Sequence, residues 1–289
     1  MSKGSAQAVA GAENIDFIRS VFATQMARGE LDLPVLPEVA ARVVSIAGSA
    51  ETDAAGLARL ITGDQSLAAH VMRVATSAIY QPRHPIESLQ HAISWLGMAE
   101  VTDIAFTVAV QGKLLNLPGQ KARVQKMWKL AVGSGLWARL VADAAGCRGE
   151  PSYLCGLLHE IGKPASLQAL GELSRRMSTP LSDIEVETLV AEFAVPVGTQ
   201  LAASWKLPDA VVAVVAGWGD WQNAGDRRDV CAIVYLAHHL AEHMMADTGS
   251  LAAEALAADP VAAHFGWGLP EMLNLCAQSD HVRALVDGY

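Results

Sequence analysis

Apolar residues recur along this chain at intervals of three and four, and nowhere do they alternate with polar residues long enough to build a sheet strand. Leu57, Leu60 and Ile61 share one helix face, with Thr52 or Asp53 able to cap it, and Leu67, Val71 and Val74 share the next, with Asp64 as its cap. Gln81-Pro-Arg-His-Pro85 must break that helix, because two prolines cannot both sit in a helix interior. Ile86, Leu89, Ile93 and Leu96 mark a short helix stopped by Gly97, and Val101, Ile104, Val108 and Leu115 mark another. Past Asn116-Leu-Pro-Gly119, the residues Met127, Leu130, Trp137, Leu140, Val141 and Ala144 predict a long helix ending at Gly146. Tyr153 to Ile161 reads as largely buried helix. Ser182-Asp-Ile-Glu185 has the residues of a capping box ahead of Leu189 and Phe193, and Pro196 fits the first turn of a following helix that ends near Trp205. Asp229 can cap a helix to about Met245, and Pro270 can open a last one.

The pattern predicts an all-α protein, a two-lobed helical bundle. Residues 1–14 read as a disordered tail, 15–118 as an N-terminal lobe and 119–289 as a C-terminal lobe with the final helices, Asn116–Gly119 forming the boundary.

Composition narrows the function classes. With 52% hydrophobic and 18% charged residues the chain is globular, not disordered. No apolar run has the length to cross a bilayer, and Met1–Asn14 lacks the apolar segment of a signal peptide, so neither a membrane nor export is expected. Cys147, Cys155, Cys231 and Cys276 form no C-x-x-C pair, which points to a reducing cytoplasm and away from disulfide or zinc-knuckle frameworks. A formal charge of −9 without a Lys/Arg cluster argues against nucleic acid as partner; Arg175-Arg176 and Arg227-Arg228 are isolated pairs. A nucleic-acid-associated regulator would need a basic stripe assembled only by the fold. Phosphate-binding glycine loops and the G-x-S-x-G nucleophile elbow are absent.

Two ordered stretches carry a family resemblance. The first is Leu33-Pro-Val-Leu-Pro37, Leu57-Ala-Arg-Leu-Ile61, Asp64-Gln-Ser-Leu67, Val74-Ala-Thr-Ser-Ala78, Ile86-Glu-Ser-Leu89, Ala92-Ile93 and Leu96-Gly97. The second is Gly156-Leu-Leu-His-Glu-Ile-Gly-Lys163, with Trp205-Lys-Leu-Pro208 downstream. Taken alone, Ile161-Gly162-Lys163 also reads as a plain helix end with Gly162 in a left-handed conformation. As an ordered set over residues 20 to 245, the stretches resemble HDOD domains, degenerate relatives of the HD-superfamily and HD-GYP phosphohydrolases. The resemblance implies an HD-like helical fold and a role in bacterial signal transduction.

Active members of the wider superfamily hold divalent metal on His and Asp side chains, generating a hydroxide that attacks phosphorus. At the positions matching those ligands this chain has Leu130, His159, Glu160, Ala194, Trp218 with Gly219, and His238. Leu130, Ala194 and Trp218 cannot bind metal. The resemblance therefore implies a dismantled centre, no catalytic residue, no cofactor and no metal. Any reduced site falls to His159, Glu160 and His238, and His239 with His243 stand at the i, i+4 spacing that zinc sites use. Apolar replacement predicts a refilled pocket, with Leu130 and Ala194 buried and Trp218 over its mouth.

The expectation is a non-catalytic cytoplasmic module acting through a signalling protein, or a small ligand, met in trans. The alternative is a residual metal-dependent phosphohydrolase acting on a nucleotide or cyclic dinucleotide. Tyr80, Arg83 and His84, on the proline-bounded loop, are the candidate partner-binding residues.

Overall fold

The computed structural model describes residues 3–47, 54–76, 85–114, 117, 119–147, 151–246 and 250–289. Tyr80, Arg83, His84 and the rest of their loop lie outside the described residues. In chain order the helices are α1 (Lys3–Arg28), α2 (Glu38–Ala47), α3 (Ala54–Thr62), α4 (Gln65–Ala75), α5 (Leu89–Leu96), α6 (Met98–Leu114), α7 (Lys121–Ala144) and α8 (Ser152–Leu158). They continue as α9 (Gly162–Arg176), α10 (Asp183–Ser204), α11 (Asp209–Gly217), α12 (Arg228–Ala246), α13 (Ser250–Ala257), α14 (Pro260–His264), α15 (Leu269–Cys276) and α16 (Ser279–Asp287). No strand occurs among the described residues, so the all-α expectation holds.

Several local signals act where the sequence places them, although Thr52 and Asp53 lie outside the described residues and Asp229 sits in the first turn of α12 instead of capping it. Asp64 accepts from the Leu67 N–H at 3.0 Å, and Ser182 with Glu185 forms the full reciprocal capping box of α10. Gly97 ends α5 at φ +87°, a conformation that favours glycine. Two further expectations fail. Residues 3–14 belong to α1 rather than to a disordered tail, because they are continuous with the amphipathic turns that follow. Pro196 lies inside α10 instead of opening a new helix. It sits on the exposed side, where water can solvate the carbonyl its missing N–H would have engaged.

The chain divides into two compact units that are not the predicted halves. One comprises Met1–Val35 and Glu160–Lys206; the other comprises Leu36–His159 and Leu207–Tyr289. Asn116–Gly119 is not the boundary, because α6 and α7 on either side of it lie in the same unit. Arg139 of α7 joins them, pairing with Glu100 and, at 3.2 Å, with Asp103 of α6.

In the first unit α1 packs on α9 and α10. Ile18 and Phe22 are wholly buried, and the Phe22 and Phe193 rings meet at 4.7 Å. Each such ring withdrawn from water contributes roughly 1.5–3 kcal/mol. The buried Trp205 indole donates to the Pro34 carbonyl at 2.8 Å. The tryptophan of one motif thus anchors the Leu-Pro segment of the other, which explains packing importance without invoking chemistry.

In the second unit α7 is the central helix, packed on α8 and α12. Leu136 and Trp137 are buried, and Gly156 lets α8 approach the α7 backbone at Ser134. The Tyr153 hydroxyl shares a 2.8 Å hydrogen bond with Thr107 of α6, and the Arg139 guanidinium lies 5.5 Å over the Tyr153 ring. Burial pushes the Asp103 carboxyl up to about 8, against the pull of Arg139 and with Glu100 adding to the rise.

Candidate functional site

His159 follows the last residue of α8 and caps it in helical conformation, and it is buried. Its Nδ1 lies 2.6 Å from the Gly156 carbonyl oxygen, which can only accept, so Nδ1 carries the proton. Nε2 is then the acceptor. It faces Nδ1 of His238, on α12, at 2.8 Å, so the His238 Nδ1–H donates. The far nitrogen of His238, Nε2, stands 3.4 Å from the Glu242 carboxylate one turn along α12. A directional chain runs from the His238 Nδ1–H through the His159 imidazole to the Gly156 carbonyl.

Trp218 completes the group. After α11 the chain enters a 3-10 segment, Trp218–Asn223, that packs against α12. The indole meets His159 edge-on at 4.9 Å between ring centroids and meets His238 at 4.5 Å. Tyr235 and His239 extend the aromatic surface, their rings 4.5 Å apart, and His239 also faces Glu242 at 3.4 Å. The sequence marked His159, Trp218 and His238 but missed Glu242 and Tyr235. The i, i+4 relation of Glu242 to His238 was the available signal.

The remaining marked residues behave differently. Leu130 and Ala194 are half-buried, not buried as predicted: Leu130 flanks the inward stripe of α7, and Ala194 packs through its backbone against Gly162. Gly219 is exposed. Gly162 does not adopt a left-handed conformation. It starts α9, and its role is close approach to the carbonyl of Ala194. Glu160 pairs with Lys163. His239 and His243 join no group of three metal-binding side chains among the described residues.

Tested against a metal ion, the donor set is already engaged. His159 and His238, with Glu160 next in the chain, form the group with metal-binding side chains, and Glu242 and His239 stand beside His238 on α12. The His159 lone pair is taken by His238, and the Glu160 carboxylate by Lys163. Leu130, Ala194, Trp218 and Gly219 add no donor. This set does not fit a hydrolytic metal centre, which needs several converging ligands and an open position.

An all-helical fold with these two motif stretches defines the class, and comparison with known proteins agrees. The family model of the HDOD domain matches residues 33–218. The chain belongs to the HDOD family. An HDOD domain protein of Geobacter sulfurreducens superposes with a TM-score of 0.70 at 20% identity, covering 96% of this chain and 98% of that one. A protein of Shewanella amazonensis SB2B, described provisionally as a metal-dependent phosphohydrolase, gives 0.70 at 21% identity, covering 95% and 99%. A Marinobacter aquaeolei VT8 protein, described provisionally as acting in signal transduction, gives 0.69 at 22% identity, covering 95% and 66%. These likenesses establish the shared fold. An uncharacterized protein of Treponema pallidum (strain Nichols) is 21% identical over 192 residues, 64% of this chain but only 37% of that relative's length.

Proposed function

We propose that this protein is a non-catalytic signal-transduction module of the bacterial cytoplasm, acting by binding a partner protein. The observation that carries this reading is the hydrogen bond between His159 and His238 beneath Trp218. Side chains at positions that resemble metal ligands spend their donors and acceptors on one another, and an indole covers them. Such a centre has become a structural element, which leaves recognition as the function. Consistent with a non-membrane setting, no single helix among the described residues is long and apolar enough to cross a bilayer.

A second reading keeps a residual metal-dependent phosphohydrolase acting on a nucleotide or cyclic dinucleotide. It is favoured by the retention of His159 beside Glu160 and by the presence of His238. One experiment separates the two. The protein, purified without chelator, is assayed for metal content and for hydrolysis of a generic phosphodiester and of cyclic dinucleotides with Mn²⁺, Mg²⁺ or Fe²⁺. The binding reading expects no stoichiometric metal and no turnover. Metal-dependent turnover that disappears in His159→Ala would overturn it.

A further inference from the structure

The N-terminal half of α7 carries a charge pattern that folding does not explain. Between Asp103 and Asp143 the sequence holds no Asp or Glu, yet it holds Lys113, Lys121, Arg123, Lys126, Lys129 and Arg139. No two of these are adjacent, so they form no cluster in the sequence, and it is the helix that gathers them. In the first turns of α7, Val124 and Trp128 face the interior. The rest of the circumference is an exposed arc of Lys121, Ala122, Gln125, Lys126 and Lys129. Lys129 is paired with Asp287 of α16 at 2.7 Å, and Arg123, at the edge of the arc, donates to Gln120 at 3.0 Å. Lys121 and Lys126 make no ion pair among the described residues.

Helix stability argues against this placement. Cations in the first turn oppose the helix dipole, no acid stands there, and Gln120 supplies no side-chain cap. A face that works against its own helix and leaves two lysines without an internal partner suits an external anion. Its size selects among anions. Lys121 to Lys129 spans about 12 Å at 1.5 Å per residue, little more than the screening length of about 8 Å at physiological salt. The whole chain carries a formal charge of −9, so the surface beyond this face is more acidic still. A nucleic acid or a lipid surface extends past the face and meets that repulsion. A short acidic segment of a protein does not.

We infer that the exposed face of α7 around Lys121 and Lys126 docks an acidic segment of a partner protein, with several carboxylates grouped within about 12 Å. Lys129 and Arg123, engaged within the protein, add to the positive field at its edges. The inference rests on the reading of this protein as a binding module and names a surface for it. Turnover decides that reading and peptide binding decides this one, so either can fail without the other.

The test uses the full chain and a fluorescein-labelled peptide with several glutamates among alanine and serine, followed by anisotropy. A peptide with glutamine at the same positions, a single-stranded oligonucleotide longer than the face and phosphatidylserine vesicles run beside it. The acidic peptide is expected to bind, more weakly as salt rises. Lys121→Glu with Lys126→Glu should weaken it by about tenfold. Arg175→Glu with Arg176→Glu, the same change of net charge at two exposed positions of α9, should alter it by less than about twofold. Lys121→Glu puts an acid where the α7 dipole favours one, so the Lys121 and Lys126 variant should melt no lower than the parent, which separates lost binding from lost folding. The inference is overturned if the acidic peptide does not bind, if the glutamine peptide binds equally, or if both double variants weaken binding alike. It is also overturned if the oligonucleotide or the vesicles bind more tightly than the peptide and lose that binding in the Lys121 and Lys126 variant. Dimerisation of the parent that this variant abolishes would assign the face to a second copy and overturn it too.

Discussion

Nε2 of His159 and Nδ1 of His238 are 2.8 Å apart. Two imidazole nitrogens sharing a tetrahedral zinc, each at 2.0–2.1 Å, would stand about 3.3 Å apart, with both lone pairs aimed at the ion. Here one nitrogen donates to the other. The difference separates a hydrogen-bonded pair from a ligand pair, and it has measurable consequences for stability.

His238→Leu leaves the buried His159 acceptor without its donor, and His159→Phe strands the His238 N–H. Each should cost about 1–3 kcal/mol in urea denaturation. Because both variants remove the same bond, the double variant should lose less than the two losses combined, by about 1 kcal/mol or more. Strict additivity would show that the bond carries no coupling. Dialysis against a chelator should leave the parent's melting temperature unchanged, and a fall would reveal a structural metal.

Two motif glycines act as contact points. A Cβ on Gly162 would stand 1.7 Å from the Ala194 carbonyl oxygen, and one on Gly156 would stand 2.4 Å from the Ser134 carbonyl oxygen. Both obstacles are backbone, which cannot rotate away. Gly162→Ala and Gly156→Ala should each destabilise by about 3 kcal/mol or more, at the upper end of overpacking. A melting temperature within a few degrees of the parent would refute this contact account of the motif.

The capping box of α10 offers a milder lesion. Ser182→Ala removes the acceptor of the Glu185 N–H and the hydroxyl partner of the Glu185 carboxylate. The expected loss is about 1 kcal/mol, with Ser182→Asp retaining most of the stability. Equal losses in the two variants would indicate that the cap does not operate through its acceptor.

Helix formation was legible because its signals are local. Asp64, Gly97 and the Ser182–Glu185 pair lie within one turn of the ends they specify, and their chemistry is visible in a four-residue window. Unit composition was not legible. Phe22 meets Phe193, and Trp205 reaches Pro34, across more of the chain than any periodicity argument spans. The prediction of a boundary at Asn116–Gly119 rested on a turn signal in the sequence, but a turn signal does not say whether the helices it joins separate or pack. The site was legible as far as identity goes. Resemblance marked His159, Trp218 and His238, but their mutual hydrogen bond and stacking depend on bringing α8, the 3-10 segment and α12 together. Leu130 and Ala194 were misread as buried because replacement by an apolar residue says what a position cannot bind, not how deeply it lies.

The Glu100–Asp103–Arg139 group sets one arm of the pH dependence. Two carboxylates face one guanidinium, and burial pushes Asp103 up to about 8 from an ordinary value near 4. With the folded value above the unfolded one, the native state holds a proton that the unfolded chain has released between those two values. The contribution to stability is therefore complete below about pH 4 and is lost as pH rises toward 8, with a slope of at most about 1.4 kcal/mol per pH unit. Asp103→Asn cannot titrate and should remove this slope. Urea denaturation of parent and variant from pH 5 to 8.5 measures the difference directly: the parent should lose ground to the variant as pH rises and stop losing it above about 8. A stability difference that stays constant across that range would mean that Asp103 is ionised in the folded protein and that Arg139 outweighs burial.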